Sequence, residues 1–210
     1  MSRIPEILAP AGDDDSLAAA IAAGADAVYF GLDGGLNARA RATNFNVERL
    51  PALMDGIHRA GVRAFVTLNT LVFENELPFV ESVLRACAAS GVDAIIVQDP
   101  AVALLSRAVA PTLEVHASTQ MTISSPESAA VAEQLGCTRV VVPRELSTEE
   151  IRTFAKGTSL ELEVFIHGAL CMSWSGQCLT SEAWGGRSAN RGQCAQSCRL
   201  PYELATWRTC

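Results

Sequence analysis

The sequence predicts an α/β fold: a TIM-like β/α barrel, incomplete at about seven strands, with a C-terminal cysteine-rich loop segment. Three observations predict it. One phrase recurs along the first two-thirds of the chain, in which a helix-like stretch ends in Gly, takes a short step and enters an apolar run. The copies are AIAAGADAVYFG (20–31), GIHRAGVRAFVTLN (56–69), ACAASGVDAIIVQD (86–99) and AEQLGCTRVVVPRE (132–145). The apolar runs are continuous and rich in Val, Ile and Phe, as in strands of a parallel sheet covered on both faces. Seven such runs recur at roughly 20–35 residue spacing, which suits a barrel. An open doubly wound sheet is the alternative, because spacing does not show closure.

The elements follow in order. Strands are expected near 6–9, 27–30, 64–68, 94–98, 114–118, 139–143 and 160–167. Helices are expected over 15–23, 47–60, 77–89, 100–108, 126–135 and 148–156. Asp13 to Asp15 form an acidic turn that favours the first helix through its dipole. Gly24, Gly61, Gly91 and Gly136 stand where helices must stop, since Gly enters the left-handed conformation cheaply. His58 precedes one of them and reads as a surface or packing residue. Ser125 before Pro126 is an N-cap with Pro at the first helical position. Ser147 with Glu150 fits a capping box.

Composition bounds the function. The 210 residues are 49% hydrophobic and 19% charged, enough apolar surface for one sizeable core. No apolar run reaches the ~18 residues of a membrane span. The opening MSRIPEILAPAGDDD lacks a charged-then-apolar export pattern, so a cytoplasmic chain with no membrane partner is expected. The net charge of −7 argues against a generally basic, nucleic-acid-coating surface, while leaving local RNA contact open. Arginines cluster early (Arg39, Arg41, Arg49) and late (Arg187, Arg191, Arg199, Arg208).

In a barrel, chemistry sits at the carboxyl ends of the strands. Those ends are polar here: Asn69 and Thr70, Gln98 and Asp99, His116 to Gln120, Arg144 and Glu145, and His167. Arg144 and Glu145 point to opposite faces if extended, so they do not pair directly. The chain has no G-x-S-x-G elbow, no H-E-x-x-H helix, no P-loop and no G-x-G-x-x-G.

The seven cysteines carry more. Clustered Cys in a cytoplasmic chain indicate metal binding or catalysis rather than disulfides. Cys171, Cys178, Cys194 and Cys198 are separated by six, fifteen and three residues. Only the last pair has structural-zinc spacing. Irregular four-thiolate spacing puts an iron–sulfur cluster ahead of zinc. Reduced cysteines without metal are the plain alternative. Cys87 and Cys137 read as packing residues, and Cys210 has no assignable role. Three regions follow: a barrel over 1–168, a cysteine-rich segment over 169–204 and a tail over 205–210.

These residues resemble a family. EVFIHGALCMSWSGQCLTS resembles the signature of peptidase family U32, the collagenase-like proteases, and SANRGQCAQSCRLPYEL continues it. PEILAPAGDDDSLAAAIAAGADAVYFGL resembles the family's N-terminal part, and FVTLNT, IVQD, HASTQ and VVPRE fall where the family has similar segments. Family members are usually longer, which implies a barrel completed by further residues. The resemblance implies oxygen-independent hydroxylation of a nucleobase in ribosomal or transfer RNA, with prephenate as a co-substrate. HGALC, SGQC and SANRG with CRLPY look closest to the ribosomal-RNA cytidine branch. It also implies a 4Fe-4S cluster on Cys171, Cys178, Cys194 and Cys198, although some members take the fourth ligand further downstream.

On this reading His116, Gln120, Arg144, Glu145 and His167 do the chemistry, and Asn69 and Gln98 shape the pocket. Arg187, Arg191 and Arg199 contact phosphates or, more plainly, hold the loop. The alternatives are a collagenase-like peptidase using Cys171 near His167, a ubiquinone-ring hydroxylation protein, and a non-catalytic partner subunit whose first and seventh strands leave open edges.

Overall fold

A computed structural model describes residues 4–38, 43–168 and 171–203. Arg39, Arg41, Arg208, Cys210 and the 205–210 tail lie outside the described residues. Among the described residues are seven strands: β1 Leu8–Pro10, β2 Ala27–Gly31, β3 Arg63–Leu68, β4 Ala94–Val97, β5 Glu114–Ala117, β6 Arg139–Val141 and β7 Glu161–Glu163. All neighbours pair in parallel, and the spatial order is the chain order. A doubly wound sheet must reverse its strand order at a switch point. This order never reverses, so the sheet is a curled half-barrel.

The helices are α1 Asp14–Ala22, α2 Leu50–Arg59, α3 Leu77–Ala89, α4 Pro100–Val109, α5 Pro126–Gln134, α6 Thr148–Gly157 and α7 Thr180–Gly185. Their starts are written locally. Asp13 caps α1 by accepting the Ser16 N–H at 2.8 Å, and Asp99 caps α4 through the Ala101 N–H at 2.8 Å. Ser125 and Ser147 cap α5 and α6, the latter with Glu150 reaching back to the Ser147 N–H at 2.7 Å. Gly24, Gly61, Gly91 and Gly136 all have positive φ, as the recurring phrase requires.

Alternation along the strands sends side chains to two apolar layers. The outer layer packs Val28, Val66, Ile95 and Val140 against helix residues such as Met54, Leu84 and Phe154. The inner layer, inside the curl, is smaller: Ala27, Phe65, Ala94, Ile96 and Val141, with Leu8 and Tyr29 against them. Cys87 and Cys137 belong to the outer layer, and burial pushes their thiols up to about 12 and about 11.

The structure corrects several boundaries. The stretch expected as one helix over 47–60 is split: Asn46 caps a 3-10 turn at Val47–Arg49, and α2 starts at Leu50 with Pro51 in its first turn. β7 covers three residues rather than 160–167. Beyond it Val164, Phe165 and Ile166 are exposed, because an apolar run reads as a strand but pairs only where a neighbour exists. α7 was not expected, being short and set among glycines. Among the described residues, no helix is long and apolar enough to cross a membrane.

Candidate functional site

The carboxyl ends of the strands surround a cavity of about 170 Å³. Gly31 closes β2 without a side chain. A Cβ there would lie 2.4 Å from Asn44 Oδ1 and 2.6 Å from Asn37 Nδ2, so its absence lets both amides reach the cavity wall. Asn69, just past β3, holds the wall together. Its Oδ1 accepts the Ala38 N–H at 2.8 Å, and its Nδ2 lies 3.4 Å from Ser118 Oγ. Ser118 caps the 3-10 turn Thr119–Met121, which brings Thr119 and Gln120 to the cavity. Arg144, beyond β6, lines it too and stacks on Phe165 with its guanidinium carbon 4.0 Å from the ring centroid. Asn69, Gln120 and Arg144 are thus the sequence-predicted residues that meet at one cavity.

Under the cavity, the amino-terminal end of the curl is charged. Arg139 of β6 donates to Glu161 at 2.7 Å and to Glu6 at 2.9 Å, and Arg63 of β3 donates to Glu6 at 3.3 Å and to Glu114 at 3.1 Å. Phe65 lies between the two guanidiniums, 4.9 and 5.4 Å from its ring. His116 sits in this layer, wholly buried and edge-on to Phe65, rather than on the rim. Burial first, then Arg139 and Arg63, lower its pKa to about 3, so the imidazole is neutral. The 3.4 Å contact to Glu114 is therefore a neutral Nε2–H donating to a carboxylate, which leaves Nδ1 without a partner.

Glu163 was missed by sequence reading. It lines the cavity from β7, and burial raises its pKa against the opposing pull of Arg139. The signal was present in ELEVF: Glu161 and Glu163 alternate with apolar residues, so two acids share the inward face.

The cysteine-rich segment is docked over this end of the barrel at two places. Glu145 accepts the Ser175 N–H at 2.5 Å and its hydroxyl at 3.1 Å. Thr122, held at φ 59°, donates its hydroxyl to Ser175 O at 2.7 Å. Gly176 packs so closely that a Cβ would lie 2.0 Å from Gln120 O. On the other side Arg191 pairs with Glu76 at 2.5 Å, donates to Leu71 O and covers the Phe73 ring. There a Cβ on Gly192 would lie 2.1 Å from Asn37 O. Arg191 is thus a clamp whose guanidinium is taken up by the protein, in keeping with the loop-holding role that is the alternative to phosphate contact. Arg187 likewise donates to Gln193 O at 3.1 Å within its own segment. Arg199 and His167 are exposed, and Gln98 is buried with Oε1 lacking a hydrogen bond; none of the three lines the cavity. Glu145 faces Ser175 and Arg144 faces Phe165, so the two do not pair.

Cys171, Cys194 and Cys198 are exposed and Cys178 is half-buried, all four as free thiols. Partial burial opposes ionisation of Cys178. Donors from Thr180, Ser173 and the Ser181 N–H outweigh it and pull the thiol below its ordinary range. Cys194 Sγ accepts the Gln196 N–H at 3.4 Å. These residue types suit a thiolate-bound cluster. Among the described residues, however, no three Cys, His, Asp or Glu side chains gather on one centre.

The profile of Peptidase family U32 matches residues 12–209. The chain is 44% identical over 199 residues to the 23S rRNA 5-hydroxycytidine C2501 synthase of Escherichia coli, covering 95% of the chain and 30% of that protein. It is 38% identical to the tRNA hydroxylation protein P1 of Bacillus subtilis, covering 97% of the chain and 48% of that protein. It is 40% identical to a protein of Porphyromonas gingivalis named collagenase, covering 95% and 50%. The chain thus spans from under a third to half the length of these relatives. Among solved structures, the U32 peptidase Mk0906 superposes with a TM-score of 0.66 at 18% identity, covering 78% of this chain and 69% of that one, a likeness of fold.

Proposed function

The chain belongs to peptidase family U32, and from that premise we propose that it is the barrel part of an RNA-modifying hydroxylase acting on a nucleobase of ribosomal or transfer RNA. One observation carries the reading: a small cavity of mixed apolar and polar lining at the strand ends, with the cysteine-rich segment fixed across it at Gly176 and Gly192. Its volume of about 170 Å³ is below the ~300 Å³ at which drug-sized ligand sites begin, so it suits a single ring. Enzymes that modify a base take it out of the stack into such a pocket. Gln120 presents an amide donor and acceptor for the edge of the ring, while the Asn37 and Asn69 amides, bonded to Leu32 O, the Ala38 N–H and Ser118, hold the wall in shape. The names of the Escherichia coli and Bacillus subtilis relatives support the same chemistry.

Cys171, Cys178, Cys194 and Cys198 would hold a four-iron four-sulfur cluster, which when bound supplies electron-transfer chemistry. The lowered Cys178 thiol and the N–H bond to Cys194 Sγ favour thiolates there. Prephenate, as a co-substrate, would find in Arg144 a cation for its carboxylates.

The collagenase-named relative favours a peptidase as the second reading. Two of the three histidines are engaged elsewhere, however: His58 pairs with Asp93 at 3.0 Å, and His116 is buried and neutral.

The deciding experiment is nucleoside mass spectrometry of ribosomal and transfer RNA from a deletion strain. We expect a hydroxylated pyrimidine to vanish and to return with the unsubstituted gene but not with Cys178→Ala. About four irons and four sulfides per chain after anaerobic purification is the companion expectation. Unchanged RNA from the deletion strain would overturn the proposal.

A further inference from the structure

Four carboxylates and two guanidiniums cluster below the cavity, with Glu114 and Glu161 about half exposed at the amino ends of their strands, and three of the carboxylates account for both guanidiniums. Glu6, Glu114 and Glu161 each receive a hydrogen bond from Arg63 or Arg139. Glu163 is the fourth. Its Oε2 lies 3.5 Å from Arg139, an ion-pair distance, and makes no hydrogen bond although it is buried. Glu161, two residues earlier on the same face, already holds Arg139 at 2.7 and 3.1 Å. Glu163 is therefore not needed to neutralise the barrel interior. A buried carboxyl oxygen whose only contact is a long ion pair has room for a closer hydrogen-bond partner. Glu163 also lines the cavity that Arg144, Asn69 and Gln120 line.

We propose that Glu163 is the proton-bearing group of this cavity, donating a hydrogen bond to a carbonyl oxygen or ring nitrogen of a bound pyrimidine. The proposal deepens the nucleobase reading and rests on it. Charge supports it. A second uncompensated negative charge beside Glu6 and Glu161 is disfavoured in a half-dry interior, and burial is the main cause that raises the Glu163 pKa. The groups facing it are Arg139 from β6, Glu6 from the segment before β1 and Glu161 on its own strand, while Tyr29 of β2 and Arg144 line the same cavity. In its neutral form the carboxyl offers one donor and one acceptor side by side. That pair matches the N3 and exocyclic edge of cytosine or uracil. Ionised, it can only accept, and the pairing with a ring acceptor is lost.

The test is equilibrium binding of cytidine and uridine to the 210-residue chain from pH 4.5, the ordinary carboxyl value, up to pH 8.5. The unsubstituted chain is expected to bind about fivefold more tightly at the lower pH, the value of one ordinary hydrogen bond. Glu163→Gln keeps a donor at every pH and is expected to bind with a flat profile. Glu163→Ala is expected to bind about fivefold more weakly than the unsubstituted chain at pH 4.5 and also without pH dependence. A Glu163→Gln profile that still titrates, or undiminished binding by Glu163→Ala, overturns the role of Glu163 while leaving the nucleobase reading standing. Absence of nucleoside binding by the unsubstituted chain at every pH overturns both. Infrared difference spectra of the unsubstituted chain against Glu163→Gln supply a readout independent of ligand. A protonated carboxyl band persisting above the ordinary value of 4.5 supports the proposal, and its loss at or below that value overturns it.

Discussion

Glu145 and Ser175 are joined twice, the carboxylate taking the Ser175 N–H at 2.5 Å with one oxygen and its hydroxyl at 3.1 Å with the other. The two bonds tie the loop after β6 to the first part of the cysteine-rich segment, between Cys171 and Cys178. Hydrogen bonds to a charged group contribute about 1.5–3 kcal/mol each when partly buried. Glu145→Ala is expected to destabilise by about 2 kcal/mol and to open residues 171–178 to limited proteolysis. A variant with unchanged proteolysis would show that Glu145 does not hold the segment.

Gly176 and Gly192 should tolerate no side chain. A Cβ would meet the Gln120 carbonyl at 2.0 Å and the Asn37 carbonyl at 2.1 Å, and both glycines have positive φ. Each Gly→Ala change is expected to cost at least about 2 kcal/mol in denaturant unfolding. Gly185, at the end of α7 with open space where a Cβ would go, is the control. Gly185→Ala should be neutral or stabilising by up to about 1 kcal/mol.

His116 should make the chain acid-sensitive. Its folded pKa of about 3 lies below the ordinary 6.5, so the unfolded chain takes up the proton first. The stability it contributes is complete above about pH 6.5 and is lost as pH falls toward about 3. Glu163 runs the other way: its raised pKa gives stability that is complete below the ordinary 4.5 and lost as pH rises through the folded value. Urea midpoints between pH 7 and pH 4 should therefore fall in the unsubstituted chain and fall less in His116→Gln. Equal slopes would mean that the buried imidazole does not govern the acid limb.

Arg191 and Glu76 should behave as a coupled pair. Their side chains are each about three-quarters buried and make two hydrogen bonds. A double-mutant cycle with Arg191→Ala and Glu76→Ala is expected to give about 1–2 kcal/mol of coupling. Simple additivity would free Arg191 for the phosphate contact that its place in the sequence suggests.

The barrel was legible because its signals are local. The apolar runs, the glycines at 24, 61, 91 and 136, and the Ser147–Glu150 cap each act within a few residues, and apart from the run after β7 the structure has them where the sequence reads them. Half of the cavity was legible for a related reason. A polar residue closing a buried strand stands out, as Asn69 and Arg144 do. Glu163 did not stand out, because an acid alternating with apolar residues is ordinarily a solvated face. Only the curl of the sheet turns that face inward.

The sequence by itself determined the parallel α/β unit, the family and the residue types at the strand ends. Those properties follow from periodicity, capping and motif, which need no partner distant in the chain. Tertiary structure alone decided which of those residues meet. It set Glu163 beside Arg139 after Glu6 and Glu161 had satisfied that guanidinium, buried His116 beneath the cavity, and turned Arg191 toward Glu76 across 115 residues. The physical reason is that hydrogen bonds and charges in a low-dielectric interior depend on which groups arrive together, and arrival is fixed by the strand order and the curl of the sheet.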